Sequence, residues 1–342
     1  MNQARALWLG AVGVLAALLL LAVGVCVGST GFENLIGPIL QPDRYPDLAA
    51  MAQQIVWEIR LPRTLGAWAA GALLGLAGAV AQGLFRNPLA DPYLLGSAAG
   101  AGLGVVLVMA GATLGGVTLS LATLAWIERV GLVGAAFGGA LAGVALTLSL
   151  AAGAVQTLRL LLAGVVVAVL LGAVSDLITV VSPDALRGKQ AFLLGSTSFL
   201  GWPALGLLGL GWVAALYGAL RLARALDALT LGEDSAASLG LNLPRVRFGL
   251  VLAMSLATAL AVSQAGLVGF VGLAAPHLVR RHAPGAHGWL LWASSLMGAL
   301  LLLGADVLSR ALIAPQELPV GVVTAVLGGA YLFFLIRQRG FQ

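Results

Sequence analysis

The residues in this chain that could do chemistry are few, and their spacing argues against catalysis. The three histidines, His277, His282 and His287, stand five residues apart. A helix brings residues three or four apart onto one face, so this spacing does not gather three metal ligands, and no His-Glu-x-x-His pair occurs. The single lysine, Lys189, is followed by Gln190. A phosphate-binding loop needs a lysine followed by Ser or Thr after a glycine-rich turn, so the chain holds no nucleotide site of that class. Gly96-Ser97 and Gly195-Ser196-Thr197 lack the Gly-x-Ser-x-Gly spacing of a nucleophile elbow and read as close-packing turns. The one cysteine, Cys26, cannot form an internal disulfide and reads as a small packing residue; Val25 before it is the wrong residue for a lipid-anchored cysteine. Metal binding and intramembrane proteolysis both lack a defensible constellation, and the chain is expected to have no catalytic residue and to bind no cofactor.

The elements that carry these residues are dictated by composition. Of 342 residues, 60% are hydrophobic and 9% charged. Soluble domains carry about 25% charged residues, so this chain lacks the polar surface to coat itself in water. Its 47 glycines suit helices that pack backbone to backbone in lipid. Its 18 Lys and Arg against 13 Asp and Glu are scattered between apolar runs rather than clustered in a stripe, which argues for membrane orientation and against nucleic acid.

A crossing helix takes roughly 20 apolar residues. Apolar stretches lie near 6–28, 62–84, 93–111, 132–153, 158–180, 203–221, 246–265, 268–280, 288–309 and 320–337. The first is too long for a signal-peptide core and reads as a retained span. The eighth is short, caught between Gly266 and Pro276. The stretch 117–127 is about half a span and is expected at the interface. The reading is an all-α, polytopic bundle of about ten spans, one domain over 1–342. With the N-terminus in the cytoplasm, Arg5, Arg86, Arg159, Arg221, Arg224, Arg245, Arg247, Arg280, Arg281, Arg337 and Arg339 fall inside, as does the C-terminus. Arg44, Arg60, Arg63, Arg129, Arg187, Lys189 and Arg310 fall outside, a modest positive-inside bias.

Two interruptions stand out. Arg86-Asn87-Pro88-Leu89-Ala90-Asp91-Pro92 holds two prolines four residues apart, which no regular helix keeps. Residues 222–245 are the longest polar insertion on the inner side. Within it, Gly232-Glu233-Asp234-Ser235-Ala236-Ala237-Ser238-Leu239 reads as a short helix, acidic in its first turn and closed by Gly240. Pro244 opens the next helix.

These segments resemble the FecCD-type permeases of ATP-binding-cassette importers for iron–siderophores, haem and cobalamin. The resemblance is carried by Arg60-Leu61-Pro62-Arg63 with Gln82 to Pro92 and Leu94-Leu95-Gly96. It continues with Leu231-Gly232-Glu233-Asp234, Ala237 and Leu239-Gly240, and with Gly269-Phe270-Val271-Gly272-Leu273, Pro276-His277 and Arg280. Asp306, Arg310, Glu317-Leu318-Pro319-Val320-Gly321 and Thr324 complete it. The stretch 111–131 is longer than the resemblance leads one to expect.

What the resemblance implies is a type II importer permease in the bacterial inner membrane. It would act as a homodimer with two ATPase subunits below and a periplasmic binding protein above, with ATP and Mg on the ATPase. The chain would move an iron chelate (siderophore or haem) or cobalamin by alternating access. An ion- or proton-coupled secondary transporter is the alternative, and it would need acidic residues at the membrane midplane.

The segment about 227–244 resembles the ATPase-coupling element, with Leu231, Gly232, Glu233, Asp234, Ala237, Leu239 and Gly240 as its residues; an ordinary solvated connector is the other reading. Arg60, Arg63 and Arg310 match binding-protein docking positions, against snorkelling arginines for all three and an Asp306–Arg310 pair for the last. Gln156, Thr157 and Leu158 match the cytoplasmic gate. Leu161, Val165, Ala168, Gly172 and Asp176, on the fifth span, are expected to line the pathway, with Asp176 facing the cavity or capping the break before Pro183. Gln82 is expected to bond between helices.

Overall fold

A computed structural model describes residues 3–28, 31–32, 35–114, 130–152 and 156–338; the whole 117–127 segment and most of the long 111–131 connection therefore lie outside the described residues. Helix α1 (Gln3–Cys26) leads into a two-residue antiparallel pairing of Val27–Gly28 with Gly31–Phe32 and then into α2 (Ile36–Leu40). Helix α3 (Pro46–Ile55) continues through a wide turn, Val56–Arg60, into α4 (Leu61–Leu84). Together they make a 39-residue helix, about 58 Å long at 1.5 Å per residue and nearly twice the hydrocarbon thickness. The sequence places the start of this span at Pro62. The structure instead carries the helix past it, because the π-helical turn Val56–Arg60 absorbs the missing N–H and the ring of Pro62.

The chain continues as α5 (Ser97–Leu114), α6 (Leu132–Leu150), α7 (Thr157–Val181), α8 (Pro183–Leu194) and α9 (Trp202–Arg221). Then come α10 (Ala223–Thr230), α11 (Glu233–Ser238), α12 (Leu243–Ala265), α13 (Val271–His282), α14 (His287–Ala311) and α15 (Val320–Gln338). Among the described residues, seven helices are long and apolar enough to cross a membrane: α1, the α3–α4 helix, α6, α7, α9, α12 and α14. Shorter apolar stretches, Ser97–Ala112 and Val320–Phe334, belong to α5 and α15.

The eighth expected span is made in two parts. Helix α13 has 12 residues, about 18 Å, too short to cross alone. The irregular stretch 266–270 precedes it. Such backbone survives at membrane depth only where protein satisfies it. Here the Leu267 N–H donates to the Phe192 carbonyl at 2.8 Å, and the Tyr93 hydroxyl donates to the Val268 carbonyl at 2.9 Å. Helix α8, absent from the sequence reading, supplies Phe192.

Helices α4, α12 and α14 form the centre, where Leu73, Leu74, Leu76, Leu250, Met254, Leu291 and Leu302 are fully buried. Glycines let the α4 backbone meet those of α13 and α14. A Cβ on Gly75 would fall on the Ser294 carbonyl, one on Gly78 on the Gly272 carbonyl, and one on Gly298 within 2.7 Å of the Gly75 Cα. Glycine pairing at Gly100 and Gly139 does the same for α5 and α6. By contrast α1 and α9 are mostly exposed, with Leu15, Leu18, Leu19, Leu210 and Val213 turned outward as lipid-facing residues would be.

Candidate functional site

At one end of the bundle the polar insertion folds as a small platform. Helix α10 buries Ala223, Ala225, Leu226 and Leu229, and its Asp227 carboxylate accepts from the backbone N–H of His287 at 2.9 Å and lies 2.7 Å from His287 Nδ1. This ties the platform to the start of α14. Gly232 (φ +105°) and Gly240 (φ +82°) turn the chain into and out of α11, in a backbone region that side-chain-bearing residues rarely adopt. Ala236, fully buried, pins α11 from beneath. Leu231 and Leu239 point away from the bundle, 67% and 66% exposed, beside the exposed Asp234 and Ala237.

Glu233 points the other way, and three elements converge on it. Arg247, buried on α12, places Nη2 2.6 Å from Oε2. Arg86, in the turn after α4, places Nη2 3.6 Å from Oε1. Thr157, the first residue of α7, donates its hydroxyl to Oε1 at 3.1 Å. Arg86 adopts a left-handed backbone (φ +50°), where its N–H and that of Asn87 bond back to Gly83 and Gln82 and close α4. Desolvation pushes the Glu233 carboxyl up. The hydrogen bond and charge of Arg247, then Thr157 and Arg86, outweigh it and hold the group below the ordinary carboxylate range.

The structure thus brings two expected sites together: Glu233 of the 231–240 segment and Thr157 of the expected gate. Gln156, extended, and Leu158 are exposed on either side of Thr157. From the sequence, Arg247 reads only as an inner charge, and Arg86 as an inner charge that opens the 86–92 break. The available signal for Arg247 was its place amid apolar residues early in α12, between Val246 and Phe248.

Helix α7 packs on one flank only. Leu160, Ala163, Gly164 and Val167 are buried, with Gly164 against the Leu94 carbonyl. The open face runs through Leu158, Leu162, Val165, Val166, Val169 and Val180. Of the residues expected to line a pathway, Val165 and Asp176 are exposed, while Leu161, Ala168 and Gly172 are half-buried. The open face is therefore turned toward Leu162, Val166 and Val169. Asp176 pairs with Lys189 of α8. It does not cap α8: the Ser182 hydroxyl does, accepting from the Ala185 N–H at 3.3 Å.

At the opposite end the three arginines expected to dock a partner are buried, with 6% (Arg60), 7% (Arg63) and 1% (Arg310) exposure. Arg60 Nη1 donates to the Cys26 carbonyl at 3.0 Å. Arg63 Nε donates to Asp306 Oδ1 at 3.2 Å and its Nη1 to Glu317 Oε1 at 2.9 Å. Arg310 pairs with Asp306, and its Nη1 donates to the carbonyls of Gly24 and Val27 at 2.9 and 2.8 Å. Asp306 also accepts from Thr197 at 2.6 Å. The physical reason is local: unpaired α1-end carbonyls and two carboxylates offer these guanidinium groups better partners than solvent. At Glu317, desolvation raises the carboxyl, but Arg63, Ser198 and Arg310 outweigh it and hold it low.

Gln82 bonds between helices: its Nε2 donates to the Leu273 carbonyl at 3.1 Å and its Oε1 accepts from Arg280 at 2.5 Å. The three histidines separate into unrelated settings. His277 packs edge-on to Tyr331, His282 lies against the Leu278 carbonyl, and His287 meets Asp227. Among the described residues no three His, Cys, Asp or Glu side chains gather as a metal site.

Comparison with known proteins adds the following. The profile of the FecCD transport family matches residues 14–338. The hemin transport system permease of Yersinia pestis is 40% identical over 290 residues, covering 83% of this chain and 84% of that protein. The vitamin B12 import system permease of Klebsiella pneumoniae is 37% identical over 297 residues, 86% of each. The ferric enterobactin transport system permease of Escherichia coli is 38% identical over 288 residues, covering 83% and 82%. A solved metal-chelate type ABC transporter in an inward-facing conformation superposes with a TM-score of 0.80 at 27% identity, covering 95% of this chain and 97% of that one.

Proposed function

The chain belongs to the FecCD transport family, and from that premise we propose that it is the membrane permease of an ATP-driven importer whose cargo is an iron chelate (siderophore or haem) or cobalamin. The relatives above are named for hemin, vitamin B12 and ferric enterobactin, which supports a metal chelate as the cargo class.

The observation that carries this reading is the platform. A short helix bracketed by glycines turns Asp234 and the flanking Leu231 and Leu239 outward and points its half-buried Glu233 at Arg247. A lipid-facing segment would hide Asp234, and a plain solvated connector would not present Leu231 and Leu239. An apolar pair ringed by polar residues fits a groove on a partner protein. In this reading Leu231, Gly232, Asp234, Ala237, Leu239 and Gly240 sit on a cytoplasmic ATPase subunit, which holds ATP and Mg.

Two copies of the chain face each other across the open side of α7, with Leu158, Leu162, Val165 and Val169 lining an apolar path that releases its cargo because it binds it weakly. Gln156, Thr157 and Leu158 close that path at the cytoplasmic end, and alternating access opens it. The binding protein meets the other end through exposed groups such as Arg44, Asp47 and Glu58, with Arg60, Arg63 and Arg310 as the internal frame behind them. The ion-coupled alternative is disfavoured because Asp176 sits beside Lys189 near the end of α7 rather than at mid-span.

The test is reconstitution in vesicles with the ATPase and binding protein encoded beside this chain, supplied with labelled haem, a ferric siderophore or cobalamin. Uptake of one of these three cargoes that requires ATP hydrolysis is the expected result. Uptake that follows a proton gradient and ignores ATP would overturn the reading.

A further inference from the structure

We propose that the Glu233 carboxylate is a latch that transmits displacement of the 231–240 platform to α7, with Thr157 as the residue it holds; this rests on the permease reading above. The argument is one of unequal attachment. Glu233 has two oxygens with different partners. Oε2 is held by Arg247, buried on the central helix α12. Oε1 accepts from Thr157 on α7, a helix that packs on a single flank. One carboxylate therefore joins the docking platform, the fixed core and the most weakly embedded of these helices at its first residue.

The geometry of α11 makes the arrangement directional. The flanking Leu231 and Leu239 face outward, Ala236 anchors α11 from within, and Glu233 stands at its first turn next to Gly232. A partner that moves the leucines pivots the segment about its glycine ends, and the carboxylate moves with it. Arg86 extends the same junction: its left-handed turn holds the guanidinium 3.6 Å from the oxygen that Thr157 shares. When Thr157 shifts, Arg86 is placed to take over that oxygen, so the carboxylate keeps a partner in both positions.

The hydroxyl of Thr157 is the one element of this junction that can be removed without touching a charge or the docking face. In the reconstituted complex, the quantity to measure is chelate transported per ATP hydrolysed. Thr157→Val is expected to lower that ratio about ten-fold, the factor that one hydrogen bond to a charged group carries. Thr157→Ser, which keeps the hydroxyl, is expected to restore it. Thr157→Ala, measured alongside, guards against a packing fault peculiar to valine. Co-purification of the ATPase shows that each variant still assembles. Glu233→Ala is expected to lower the ratio as well, and adding Thr157→Val to it should lower it no further, because the two substitutions break the same bond.

A Thr157→Val complex coupled as tightly as the unaltered one would overturn the latch while leaving the permease reading intact. So would multiplicative losses in the double variant. Failure of the unaltered chain to couple uptake to ATP at all would overturn the permease reading, and the latch with it.

Discussion

Asp306→Ala is expected to be the most damaging single substitution at the end of the bundle away from the platform. The Asp306 side chain is wholly buried and holds two arginines that are themselves buried, Arg63 and Arg310, as well as the Thr197 hydroxyl. Alanine leaves both cations short of a counter-ion. Removing one partner of a buried pair costs about 3–5 kcal/mol, chiefly because the stranded charge stays out of water. Two features reduce the figure here: Arg63 keeps Glu317, and Arg310 keeps the carbonyls of Gly24 and Val27. The lower part of that range, about 3–4 kcal/mol, is therefore expected.

At about 2 °C per kcal/mol for a chain of this size, the melting temperature in detergent should fall by about 6–8 °C. The assay is thermal unfolding followed by tryptophan fluorescence. A second substitution tests the cause. If the loss comes from stranded charge, adding Arg310→Met to Asp306→Ala should recover part of it, since one of the two cations is gone. If the loss comes from missing attraction, the double variant should be worse than either single one. A fall below about 2 °C for Asp306→Ala, or additive losses in the double variant, would refute the reasoning.

Gly75→Ala is expected to lower the same melting temperature by an amount corresponding to about 1–3 kcal/mol, because its Cβ meets the Ser294 backbone rather than a side chain that can turn away. Gly138→Ala, with nothing within 4 Å of the added carbon, should leave the melting temperature unchanged or slightly raised. Glu317 is depressed in the folded chain, so the stability it contributes is present above its unfolded value, about 4.3, and is lost as pH falls through the lower folded value. Melting temperature measured from pH 6 downward should drop more steeply for the unaltered chain than for Glu317→Gln, and parallel curves would contradict the assignment.

Much of the architecture was readable from the residues because lipid imposes a simple rule: long apolar runs become spans. The platform was readable too, since two glycines bracket an acidic first turn. Pro62 misled because a proline usually opens a helix, and only a wide turn five residues long lets the chain run through it. Helix α8 escaped because its twelve residues mix charged and apolar types with little net hydrophobicity. The face of α7 could not be read from periodicity, since the helix is apolar all round; its neighbours decide which side is covered. The burial of Arg60, Arg63 and Arg310 was hidden by distance along the chain. Arg60 finds a carbonyl 34 residues away, and Arg63 a carboxylate 254 residues away. Only Asp306, four residues before Arg310, advertised its pairing locally. The bond from Thr157 to Glu233 spans 76 residues, and nothing local in either segment announces it.

The glycine contacts of α4 with α13 and α14 carry a mechanical consequence. Side chains can yield by changing rotamer, but a carbonyl pressed against the place a Cβ would occupy cannot. Sliding α4 by one turn, about 5.4 Å, would bring Ala79 and Gln82 to the places of Gly75 and Gly78, or in the other direction Ala67 and Leu74 to those of Gly71 and Gly78, where only hydrogen now fits. These three helices therefore behave as a stator, and any stroke of useful amplitude has to be taken up by the outer blades of the machine, which touch the rest along one edge.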